Sequence, residues 1–184
     1  YAGPGDEVVF SENGFLRFKL SAISCGATPV SAKEVKHTTS VDALLASVTD
    51  RTKVVLLANP NNPTGTYIPT GELERLWAGL PPTVLLVIDS AYAEFVESAD
   101  YSSGEALVGR SENVVMTRTF SKAYGLAGVR VGWAYGPERV IETFNRARLP
   151  FPVSGAAQAA GVAALHDEAH LRAAIGDNTK ARDW

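Results

Sequence analysis

Lys122 sits inside "TRTFSKAYGLAGVRVGW" (Thr117–Trp133), beside Phe120, Ser121, Ala123, Tyr124 and Leu126, with little charge nearby. One reading is an exposed lysine at a helix start, since lysines are mostly exposed. The other is a desolvated amine, whose lowered pKa makes it a nucleophile. Thr119 and Ser121 place hydroxyls beside it. Arg130 follows in an apolar run that reads as a strand. A buried arginine needs an anion, and phosphate accepts its planar fork well.

Asp89 ends the apolar run "TVLLVID". An aspartate after a strand commonly caps a helix or sits in a loop. A buried one wants a cationic partner, and a protonated pyridine nitrogen would serve. Tyr92 follows three residues later, either a core aromatic with a satisfied hydroxyl or a hydroxyl aimed at the same site. "NPNNPTG" (Asn59–Gly65) is a loop by its Asn-Pro pairs and glycine. Within it Asn62 can offer an amide donor to a phenolate-like oxygen. A lysine for an imine, an aspartate for a pyridinium, a tyrosine and an asparagine for a ring oxygen, and an arginine with hydroxyls for a phosphate make the set that pyridoxal 5'-phosphate (PLP) requires. His37, His166 and His170 are scattered, and no metal site is expected.

The elements that must hold these groups alternate between strand and helix. "DEVVF" (Asp6–Phe10), "TPVSAKEV", "KVVLLAN" (Lys53–Asn59), "TVLLVID" (Thr83–Asp89), "NVVMTR" (Asn113–Arg118) and "GVRVGWAYG" (Gly128–Gly136) read as strands. The continuous apolar runs among them suit strands covered on both faces. Helices are expected from about Gly14 to Gly26, over Val41–Val48, over "TGELERLWAGL" with Thr70 as a possible cap, and from about Pro137. "SGAAQAAGVAALHDEAHLRAAIG" reads as one long alanine-rich helix, bent near Pro152–Gly155. This alternation predicts an α/β fold with a mostly parallel sheet. Ligands of such sheets sit at the carboxyl ends of strands, where "NPNNPTG", "DSAYAEF" and "TRTFSK" begin.

The 184 residues suffice for one sizeable domain with a core. The formal net charge of -3 and the scattered charges give no pull toward nucleic acid or an anionic membrane. One cysteine, Cys25, excludes an intrachain disulfide framework. No apolar run is long enough to span a bilayer. The chain starts at Tyr1 within a loop entering a strand, and stops at "NTKARDW" in what reads as mid-helix, so a fragment is expected.

The segments "ANPNNPTGTYI", "IDSAYAEF" and "TRTFSKAYGLAGVRVGWAYGP" resemble, in order and interval, the fold-type I PLP-dependent aminotransferases. The likeness is greatest to the histidinol-phosphate aminotransferase family. It implies a three-layer α/β/α large domain with a mostly parallel sheet. It implies that Lys122 carries the cofactor as an imine and that Asp89 binds the pyridine nitrogen. Tyr92 and Asn62 would bind the ring oxygen, and Thr119, Ser121 and Arg130 the phosphate. Phe15, in "SENGFLRFK", matches the place of an aromatic ring against the cofactor face; a core phenylalanine is the other reading. Residues 1–184 would be a partial cofactor-binding domain, lacking an N-terminal arm and a small domain toward which the helix from about residue 154 leads. The implied activity is transamination of histidinol phosphate with 2-oxoglutarate in histidine biosynthesis, by a cytoplasmic homodimer. Alternatives are another amino-acid aminotransferase, a related phosphate-substrate decarboxylase, or the aminotransferase-like domain of a PLP-binding transcription regulator.

Overall fold

The computed structural model describes residues 1–182; Asp183 and Trp184, the end of the expected terminal helix, lie outside them. The elements run β1 (Glu7–Ser11), α1 (Leu16–Ser24), β2 (Thr28–Ala32), β3 (Glu34–Val35), β4 (Thr38–Thr39), α2 (Val41–Ala46), β5 (Thr52–Ala58), α3 (Thr70–Gly79), β6 (Leu85–Asp89), α4 (Glu105–Val108), β7 (Val114–Thr119), β8 (Gly132–Tyr135), α5 (Glu138–Ala147), α6 (Gly155–His166) and α7 (Glu168–Arg182). Six strands form one sheet in the order β2-β1-β5-β6-β7-β8. The first five are parallel, and β8 runs antiparallel to β7.

Strand side chains alternate between two apolar layers, as the pleat requires. Val9, Val55, Leu57, Leu86, Ile88, Val114 and Met116 face Leu44 of α2, Leu73 and Leu76 of α3 and Leu107 of α4. Val8, Phe10, Val54, Ala58, Leu85 and Val115 face Phe18 and Ala22 of α1 and Val140 of α5. This is the expected three-layer α/β/α arrangement. Covering on both faces explains why these strands read as unbroken apolar runs.

Four local expectations fail. "TPVSAKEV" divides: β2 joins the main sheet, while Glu34–Val35 forms a two-stranded ribbon with β4. Thr70 does not cap α3; Pro69 holds the cap position, and the Thr70 hydroxyl donates to Asp100 O at 2.7 Å. The long helix is two, broken at Asp167 and not bent at Pro152–Gly155. Ser154 caps the first by accepting from Ala157 N, and Asp167 starts the second by accepting from His170 N. The strand expected from Gly128 begins at Gly132, because Ala127–Val129 is a 3₁₀ turn and Arg130 is left-handed, at φ 57° and ψ 54°.

Candidate active site

The register fixes the floor of the site. Ala58 of β5 pairs with Asp89 of β6, which pairs with Thr117 of β7. One row of the sheet thus sets three adjacent carboxyl ends side by side. There they border a cleft of about 440 Å³, lined also by Phe15, Asn62, Tyr92, Thr119, Ser121, Lys122 and Arg130. All eight residues singled out in the sequence therefore meet on one cavity.

Asp89 shares its face of the sheet with Leu85 and Val87, four and two residues before it. Burial pushes its carboxyl above the ordinary range, opposed by the Ala91 N–H, which donates to Oδ1 at 3.2 Å, and by the charge of Lys122. Among the described residues it has no salt-bridge partner. A cation placed in the cleft would find this carboxylate ready.

The loop after β5 explains its asparagines by division of work. Asn59 is buried and binds Ile68 through both ends of its amide. Asn61 is buried and donates to Asn13 O and Thr64 Oγ1. Those bonds shape the loop. Asn62, half-buried, makes no protein hydrogen bond among the described residues and borders the cleft.

Lys122 lies in the turn beyond β7, closed by Gly125 N donating to Lys122 O at 2.8 Å. The lysine is exposed, which corrects the expectation of a desolvated amine. The turn stands at the carboxyl edge of the sheet, and His170 of α7 approaches it at Gly125. Its Nζ lies 4.9 Å from the centre of the Tyr92 ring, a cation–π contact.

Arg130 likewise departs from expectation, being exposed and in a turn rather than buried in a strand. Its left-handed backbone is uncommon for a residue with a Cβ. The guanidinium donates to Ala127 O at 2.7 Å and reaches Ser121 Oγ at 3.4 Å. Ser121 N in turn donates to Thr119 Oγ1 at 3.1 Å. Among the described residues Arg130 pairs with no carboxylate. A guanidinium and two hydroxyls gathered in this way suit a phosphate. Phe15, 38% exposed, precedes α1 and packs edge-on against Phe18. It is therefore not a core residue.

Sequence reasoning passed over Arg118, which also lines the cleft. The available signal was a charged residue alternating with Thr117 and Thr119 on a buried strand. A second cavity, of about 640 Å³, adjoins the cleft along Pro60, Asn62 and Tyr92.

The family described as "Aminotransferase class I and II" matches residues 1–182. A histidinol-phosphate aminotransferase from Rhodospirillum centenum is 62% identical over 167 residues, 91% of this chain and 46% of that protein. One from Paramagnetospirillum magneticum is 55% identical over 184 residues, 100% of this chain and 51% of that protein. The solved histidinol-phosphate aminotransferase from Sinorhizobium meliloti, in complex with pyridoxal-5'-phosphate, superposes with a TM-score of 0.93 at 33% identity, covering 100% of this chain and 50% of that one. The chain spans about half the length of the curated relatives it matches.

Proposed function

This chain belongs to the class I and II aminotransferases, and from that premise we propose that it is the cofactor-binding portion of a PLP-dependent histidinol-phosphate aminotransferase. The observation that carries the reading is the charge pattern of the cleft. Among the described residues, Asp89 is a half-buried carboxylate with no salt bridge at the floor, Arg130 is an arginine beside hydroxyls with no carboxylate partner, and Lys122 is an accessible amine on the same wall. The residues present thus fit a cationic ring with an anionic arm.

PLP, when bound, supplies a carbonyl carbon for amine exchange and a ring that accepts the electrons released at a substrate's α-carbon. The roles follow from the donor set. Lys122 would anchor the cofactor, and its amine would serve as the base that takes the proton from the substrate's α-carbon. Asp89 would hold the proton on the ring nitrogen. The Tyr92 hydroxyl and the Asn62 amide would donate to the ring oxygen. Arg130, Ser121 and Thr119 would hold the phosphate, and Phe15 would cover a ring face. The cavity beside Tyr92 gives the substrate room to extend away from Asp89.

The names of the relatives at 62% and 55% identity support histidinol phosphate as amino donor, and with it a role in histidine biosynthesis. The proposal takes 2-oxoglutarate as acceptor, with imidazole acetol phosphate and glutamate as products. It extends to a homodimer acting in the cytoplasm. Leu16, Leu20 and Ile23, exposed on α1, support a protein contact there.

Expressed from its complete reading frame, the protein should convert histidinol phosphate and 2-oxoglutarate to glutamate when loaded with PLP. Turnover of other amino acids with none of histidinol phosphate would refute the substrate. Release of carbon dioxide, or DNA binding without turnover, would refute the reaction class.

A further inference from the structure

The carboxyl ends of β6 and β7 and the turns that follow carry most of the cleft's polar groups: Asp89 and Tyr92 on the first, Thr119, Ser121 and Lys122 on the second. The strand ladder joins them as far as Ser90, whose N–H donates to Thr117 O at 3.0 Å. Past that point a buried ion pair takes over. Arg118 Nη2 donates to Glu94 Oε1 at 2.5 Å, and the two side chains are 17% and 7% exposed. Glu94 lies two residues after Tyr92, and Arg118 four before Lys122. The guanidinium carbon also lies 5.8 Å from the centre of the Trp133 ring on β8.

As a stabiliser this pair is poor. Arg118 Nε and Glu94 Oε2 are both buried and have no hydrogen-bond partner among the described residues. Replacing such a pair by apolar groups of similar size is often neutral or favourable, because two desolvated charges are exchanged for packing. Its presence beneath the cleft needs an account other than stability.

We propose that Arg118 and Glu94 are a positioning pair that fixes the Tyr92 turn against the Lys122 turn. The contact between Lys122 Nζ and the Tyr92 ring joins the same two turns, and is what the pair would set. The inference rests on the proposed role of Lys122 as cofactor anchor.

The test compares the wild-type protein, expressed from its complete reading frame, with the double variant Glu94→Leu/Arg118→Met and with Arg118→Lys. Three readouts are taken: the unfolding midpoint without cofactor, the rate at which borohydride traps PLP on Lys122 per folded molecule, and the pH midpoint of the bound cofactor's visible band. The double variant should unfold at or above the wild-type midpoint, yet trap PLP about tenfold more slowly, with the pH midpoint displaced by about one unit. Arg118→Lys keeps the charge and loses the planar fork, so it should move the last two readouts the same way by less. It also serves if the double variant fails to fold. Wild-type trapping rates and pH midpoints in folded variants would overturn the proposal. So would a loss of trapping explained wholly by a lowered unfolding midpoint. Failure of the wild-type protein to trap PLP on Lys122 would instead remove the cofactor reading on which the inference rests.

Discussion

Asp89 carries opposite consequences for stability and for chemistry. Its carboxyl is raised by burial, so the native chain binds that proton more tightly than the unfolded one. The stability linked to it is fully present below the ordinary aspartate range and is lost as pH rises through the native value. Asp89→Asn removes a half-buried, partly desolvated charge, so without cofactor its unfolding midpoint should rise by a few degrees at neutral pH. The gain should vanish as pH falls into the carboxylate range. A pH series of thermal unfolding checks this, and an unchanged neutral midpoint would contradict it. With PLP the order reverses, because a neutral amide cannot hold a pyridinium. Turnover in Asp89→Asn should fall roughly 100- to 1,000-fold, equivalent to about 3–4 kcal/mol, while some cofactor binding remains.

The sheet shows which elements sequence patterns reveal. β5, β6 and β7 were legible because apolar runs of strand length mean strands covered on both faces, and each ends in residues that cannot continue a core. Hence Asn62, Asp89, Tyr92, Thr119, Ser121 and Lys122 could be named before their convergence was visible, whereas Phe15 was implied only by the family resemblance. The edges were less legible. Arg130 occupies a left-handed turn without the glycine that usually marks one, so its run read as strand. The alanine-rich segment carries no strong apolar period, so nothing marked the break at Asp167 except a residue type that also occurs within helices. The exposure of Lys122 and the pairing of Arg118 with Glu94 depend on how the exits of neighbouring strands pack, which no local spacing encodes. Gly132 is the element-scale test of this edge. A Cβ there would lie 2.7 Å from the Arg118 carbonyl oxygen, a backbone atom that cannot swing aside. In register Gly132 faces Thr119 of the cleft. Gly132→Ala should therefore push β8 from β7, cost about 1–3 kcal/mol in urea unfolding, and weaken PLP binding. Unaltered stability would mean that the strand edge yields freely.

The described residues form a three-layer sandwich whose candidate site lies at one edge of the sheet. Its packed helices keep the strands in register, and the register sets Ala58, Asp89 and Thr117 in one row. The groups above that row belong to separate turns, so the site exists only when the whole sheet has formed. Denaturant should accordingly abolish cofactor capture together with the fold. The central claim is that this cleft is a PLP site with Lys122 as its anchor. Its most direct test is to add PLP to the protein, reduce with borohydride and locate the modified lysine by peptide mass spectrometry. The account predicts one dominant adduct on Lys122 and none in Lys122→Ala that exceeds background. A dominant adduct on another lysine, or equal labelling of wild type and Lys122→Ala, would contradict it.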